Sequence, residues 1–157
     1  MLAFQRQDCP QTLAQGVEEY FAVNTGLARS RLMSPEAREF FRCHDVAHVV
    51  FGCDVALDDE AVVKIASILG TTAGLSVLEG YRLHESLQIY RQLRVPDVLL
   101  SIARSVVIVP RTAFRCLAQR ARWPWAEHQE YMHRPLCELR QTFGIRVAHW
   151  QPTENAA

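Results

Sequence analysis

The chain has 157 residues, a formal net charge of zero and 49 % hydrophobic residues. That length and composition set a single domain over residues 1–157 as the expectation and exclude a disordered chain. Charge balance argues against nucleic acid as a partner, because a general nucleic-acid binder needs a broad basic surface.

The charge is nonetheless unevenly placed. Seven acids (Glu36, Glu39, Asp45, Asp54, Asp58, Asp59, Glu60) stand against two arginines between Pro35 and Glu60, whereas eight arginines stand against two acids between Tyr81 and Arg122. An acidic segment suits a cation; a basic one suits phosphate, carboxylate or anionic lipid, or simply solvates the outer faces of helices. The five cysteines (Cys9, Cys43, Cys53, Cys116, Cys137) are odd in number and form no C-x-x-C pair, so a disulfide framework or a structural zinc finger is not expected. Cys43 and Cys53 read as small buried apolar residues. No signal peptide is visible, and the longest uncharged apolar-leaning run, "IASILGTTAGLSVL", falls short of the roughly 20 residues of a membrane span.

In chain order the elements read as helices. "QTLAQGVEEYFAVN" places Leu13, Val17, Tyr20 and Phe21 on one face, and Asn24-Thr25-Gly26 stops it. "SPEAREFFRCHDVAHVVFG" is the clearest helix: Ser34 caps it, Pro35 fits the first turn, Glu36 and Glu39 favour the positive end of the dipole, and Gly52 ends it. The next helix is expected to begin near Glu60, capped by Asp58 or Asp59, and to end at the small residues Gly70 to Gly74. Helical spacing resumes over "GLSVLEGYRLHESLQIYRQL" to Leu93. Pro96 opens another helix, which Pro110 breaks or kinks, with "SVVIVP" as an alternative strand lacking a partner. "WAEHQEYMHRPLCELRQTFG" closes the chain, with a break at Pro135. The fold class expected is all-α, a single-domain multi-helix bundle.

The stretch "HDVAHVVFGCDVALDDE" carries the chemistry. His44 and His48 are four apart and share a helix face, Asp45 lies on the same flank, and Glu60 follows after a glycine and an acidic turn. Two imidazoles on one helix face chelate a single cation, and imidazole with carboxylate suits zinc, iron or manganese. The alternative is a pair of ordinary helix histidines, although Phe40, Phe41, Val46, Val49, Val50 and Phe51 make an apolar neighbourhood in which ionisable groups need partners. A zincin wants glutamate where Asp45 stands. An HD-type phosphohydrolase wants a histidine upstream, and His44 is the first in the chain. A ferritin-like di-iron site would take Asp45, His48, Glu130 and His133 with Glu60 and Glu79 or Glu85. His84, His128 and His133 read as solvated, and Trp123 and Trp125 as either a half-wet edge or core anchors. No nucleophile elbow or phosphate loop occurs.

The motif resembles the signature of the fourth Coq protein of ubiquinone (coenzyme Q) biosynthesis, H-D-x-x-H, eleven residues, then E: here His44, Asp45, Val46, Ala47, His48, then Val49 to Asp59, then Glu60. "HVVFG", Lys64 and the closing "EHQEYMHRPLCELRQTFGI" are similar to family positions, whereas Ala47 and Asp59 depart from the usual aromatic and glycine. The resemblance implies a ligand set of His44, Asp45, His48 and Glu60 for one divalent metal, Zn2+ in the first place and Fe2+ or Mn2+ as alternatives. It implies a polyprenyl lipid intermediate, with head-group oxidative decarboxylation at ring carbon 1 or a non-catalytic lipid-binding scaffold role. It also implies other ubiquinone-biosynthesis proteins as partners and a cytoplasmic place peripheral to the inner membrane (the matrix side in mitochondria). The arginine excess over residues 81–122, with the apolar run Val98 to Val109 and Trp123 and Trp125 beside it, points to an anionic membrane surface as a further partner, and a homodimer is expected. Ile65, Ile68, Leu69, Leu75, Leu99, Ile102 and Val106 are the candidates to line an isoprenoid groove, or else pack on one another.

Overall fold

The computed structural model describes residues 1–25, 34–81 and 95–149, with the side chains of 95–103 outside the description. Among these residues the protein is all-α, with six α-helices and no strand. They are α1 (Leu13–Val23), α2 (Pro35–Phe51), α3 (Leu57–Leu69), α4 (Val77–Tyr81), α5 (Val95–Leu117) and α6 (Leu136–Phe143). Short 3-10 turns occupy Ala3–Gln5, Gly74–Ser76 and His128–Tyr131.

Helix α2 forms where its caps demand. Ser34 accepts a hydrogen bond from the Ala37 amide, Pro35 opens the first turn, and Gly52 ends the helix at φ 70°, a left-handed conformation that favours glycine. Ten of its seventeen residues are buried, His44 and His48 among them, so α2 is a core helix rather than a surface one. Helices α1 and α3 pack against it, and α5 lies along α3. Phe4, Leu13, Tyr20, Val49, Val50, Val63, Trp123, Leu136 and Leu139 belong to one continuous core.

Several expectations are corrected. Helix α3 starts at Leu57, not near Glu60; Ala56 precedes it, and Asp58, Asp59 and Glu60 line its first turn instead of capping it. Acids there meet the positive end of the dipole, so the same charges stabilise the start from inside the helix. Asp59 instead accepts the Asp54 amide at 2.7 Å. Pro110 does not break α5, which runs through it to Leu117, and "SVVIVP" is helix, not strand. The closing segment does divide at Pro135 as expected, with a 3-10 turn before it and α6 directly after it. The helix expected to reach Leu93 is described only to Tyr81; His84 and Glu85 lie outside the described residues.

Arg140 of α6 locks the end of α2. It is fully buried and donates to the carbonyls of Val49 and Val50 in the last turn of α2, and to Phe4 and Arg6 of the N-terminal segment. The Val49 carbonyl also accepts the Gly52 amide at 3.2 Å, whereas that of Val50 lies past the last intrahelical donor; the guanidinium completes both while its charge faces the negative dipole end. Burial lowers the Arg140 pKa to about 10.

Candidate metal centre

Spacing along α2 places His44 and His48 one turn apart, and α3 returns Glu60 to the same place. His48 Nε2 stands 3.2 Å from Glu60 Oε1, and His44 Nε2 3.7 Å from Glu60 Oε2. One ligating atom from each of the three residues fits within a 4.8 Å cluster, and no other such group of histidine, cysteine or carboxylate occurs among the described residues. Asp45, the fourth member of the ligand set that the resemblance implies, is not part of the cluster.

The electrostatics favour neutral donors around one anion. Burial, with the neighbouring His48, lowers the His44 pKa to about 3, so the imidazole is uncharged at neutral pH. Burial works against the Glu60 carboxylate, but the close approach of His48, then the nearness of His44 and Lys64, outweighs it and holds the acid below its usual range. Burial pushes Asp45 up to about 7, which His48 opposes and Glu60 reinforces.

His44 Nε2, His48 Nδ1 and His48 Nε2 are buried with no hydrogen-bond partner; the His48–Glu60 approach is within ion-pair distance but not aligned as a hydrogen bond. Most buried polar side-chain atoms are partnered, and each orphan costs about 1–3 kcal/mol. Two of these orphans, His44 Nε2 and His48 Nε2, converge beside one carboxylate, which is what a divalent cation would satisfy.

Aromatic rings hold the imidazoles in place. Tyr20 of α1 stacks on His48 (centroids 5.3 Å, 28° between planes) and Phe40 stacks on His44 (5.8 Å, 29°). Tyr81 of α4 meets His44 edge-on at 5.7 Å, and the Lys64 ammonium lies 4.8 Å from the Tyr81 ring centre. Lys64 is one turn beyond Glu60 on α3, so a cation stands beside the cluster. A Cβ on Gly80 would collide with the Phe40 ring; glycine there lets α4 press Phe40 towards His44.

Other expected residues fall elsewhere. Glu130 and His133 are exposed and outside the cluster, which removes the observation that a di-iron site would need. His128, expected to be solvated, is fully buried. Its Nδ1 faces the Trp125 carbonyl at 2.8 Å and its Nε2 faces Arg42 Nη1 at 3.0 Å, the pattern of a neutral ring that donates at Nδ1 and accepts at Nε2. It is a structural pin between the 125–128 loop and α2. Trp123 is a core anchor, and Trp125 packs partly buried against the core. Cys43 and Cys53 are buried free thiols as read, and all five cysteines are free.

Of the groove candidates, the five with described side chains differ in exposure. Ile65, Ile68 and Leu69 are half-buried on α3, Leu75 and Val106 are exposed, and the side chains of Leu99 and Ile102 lie outside the described residues. The cleft lined by Phe51, Val62, Ala66, Thr112, Arg115 and Cys116 contains none of the five described candidates, and it admits about one water.

No protein-family model, curated protein or solved structure matches the chain.

Proposed function

We propose that this chain is a mononuclear metalloprotein of the ubiquinone-synthesis type its motif resembles, working on the aromatic head group of a polyprenyl intermediate. The observation that carries the proposal is the convergence of two unpartnered, buried imidazole nitrogens, His44 Nε2 and His48 Nε2, on the Glu60 carboxylate. His44, His48 and Glu60 would hold the cation, and two imidazoles with one carboxylate suit Zn2+, with Fe2+ and Mn2+ also accommodated. When bound, the divalent cation supplies a Lewis acid that orients and polarises an anionic oxygen. Lys64 adds a positive charge on the same side, and Tyr20, Phe40 and Tyr81 make an apolar wall against which an aromatic ring packs.

The reaction proposed is oxidative decarboxylation at ring carbon 1. The ring–carboxylate bond breaks and carbon dioxide leaves. One atom of dioxygen becomes the ring hydroxyl, and the other leaves as water with two electrons from an external reductant. The second reading is a lipid-binding scaffold with a structural metal. A structural zinc site is closed by four protein ligands, whereas a catalytic one keeps a position open; a three-donor cluster favours the catalytic reading. Elemental analysis of the purified protein, with co-purified lipid identified by mass spectrometry, tests both. One equivalent of divalent metal is expected in the wild type and none in His44→Ala or His48→Ala. Undiminished metal in both variants would overturn the ligand assignment.

A further inference from the structure

Helix α5 turns a long apolar stripe outward. Val106 is 75 % exposed, Val107 67 %, Phe114 73 % and Leu117 74 %, and Pro110 between them is exposed as well. Val106, Pro110, Phe114 and Leu117 follow i, i+4, i+8, i+11 spacing, so they form one face about three turns long. The opposite side carries the buried Thr112 and Cys116, where α5 packs on α3. The stripe is therefore not a misplaced core face. Single exposed apolar residues need no explanation, but a contiguous row of large ones marks a contact surface.

The charges beside it identify the partner. Five arginines (Arg104, Arg111, Arg115, Arg120, Arg122) and no aspartate or glutamate occur between Val98 and Arg122. Arg104 and Arg111, both exposed and seven residues apart, run along one flank of the stripe, and the exposed Arg120 and Arg122 follow its end, whereas the half-buried Arg115 turns inward and donates to the Val147 and Ala148 carbonyls. Two copies of this face brought together would set two arginine rows against each other, and the one acid on α5, Asp97, stands in the first turn, seven residues before Arg104. An anionic bilayer answers both features: lipid phosphates and carboxylates meet the guanidinium groups, and the apolar side chains enter the acyl boundary. Arg104 also meets Asp58 at 2.8 Å, but the pair is solvent-exposed and yields readily to headgroups. Among the described residues no helix is long and apolar enough to cross a membrane, so the fit is that of a helix lying on the surface.

We infer that the outer face of α5 is the docking surface of this protein for an anionic lipid bilayer, with Val106, Phe114 and Leu117 inserting and Arg111 and Arg122 meeting headgroups. The inference is independent of the metal reading.

Co-sedimentation of the full chain with vesicles of phosphatidylcholine, alone or mixed with phosphatidylserine, tests it. Binding is expected only to the mixed vesicles, and it should weaken with added salt. Phe114→Ser with Leu117→Ser should lower affinity about tenfold or more. Arg111→Glu and Arg122→Glu should each cost roughly fivefold or more. Val23→Ser, an exposed apolar change on α1, should leave binding unchanged, and thermal melts should show each variant folded. Metal removal should not alter vesicle binding, which separates this test from that of the metal centre. The inference is overturned if the wild type ignores anionic vesicles or the stripe variant binds as well as wild type. It is equally overturned if light scattering shows a dimer that the stripe variant abolishes, or if the face captures an acidic protein and no lipid.

Discussion

Double replacement of His44 and His48 by leucine separates a metal centre from a buried structural network. In the metal-free protein His44 Nε2 and both nitrogens of His48 are desolvated without partners, a burden of roughly 1–3 kcal/mol for each. Leucine removes those atoms, at a repacking cost of similar size against Tyr20 and Phe40. The metal-free double variant should therefore stay within about 2 kcal/mol of the metal-free wild type. The metal-loaded wild type should behave differently. A cation at a hundred times its dissociation constant stabilises by about 2.7 kcal/mol, which for a chain of this length raises Tm by roughly 5–10 °C. Differential scanning calorimetry on chelated and Zn2+-loaded samples of both proteins gives the four values. The expected pattern is a clear metal-dependent rise in the wild type and none in the variant. If the histidines were instead satisfied core residues, the variant would lose well over about 3 kcal/mol without metal and the wild type would ignore zinc; that pattern would refute the reasoning.

Other consequences are open to simpler assays. Burial, together with nearby Arg42, lowers the pKa of His128, against the weaker pull of the Trp125 carbonyl. The unfolded chain then takes up a proton that the folded chain lacks, so the stability contributed by neutral His128 is present above about pH 6.5 and is lost as pH falls towards the folded pKa. Urea midpoints at acid and neutral pH should differ more for the wild type than for His128→Gln. Arg140→Met should cost about 3–5 kcal/mol, since it orphans the Val50 carbonyl at the end of α2 and takes a donor from those of Val49, Phe4 and Arg6, and urea unfolding measures it. Gly80→Ala should destabilise by about 1–3 kcal/mol through overpacking on Phe40. Its metal affinity, read by competition with a chromophoric chelator, should fall because Phe40 stacks on His44.

The local chemistry of α2 was legible in the chain. Serine, proline and two acids at one end and glycine at the other leave little freedom over where that helix starts and stops. The four-residue histidine interval and the apolar neighbours pointed to a buried pair, and Glu60 to a third donor. Tertiary burial was not legible. His128 sits in a polar stretch, and nothing local distinguishes it from His133, which is exposed. Nothing local marks Arg140 for burial, because its partners are backbone carbonyls on segments about 90 and 135 residues away. The outward turn of Val106 and Phe114 was hidden for a related reason: an amphipathic pattern fixes which residues share a face, not which face meets the core.

Where the donors come from bears on what the centre does. His44 and His48 belong to one helix end that Arg140 clamps, and Glu60 to the first turn of the next. Ligands fixed in this way are held ready by packing at a continuing cost in orphaned polar atoms, the signature of a site kept for binding rather than stability. Donors arrive from two elements only, so the remaining directions are walled by rings from α1, α2 and α4 and by Lys64. A cation held there would have protein donors on one side and an aromatic, positively charged surround on the other. On the proposed reading, that surround is what an anionic aromatic head group would meet.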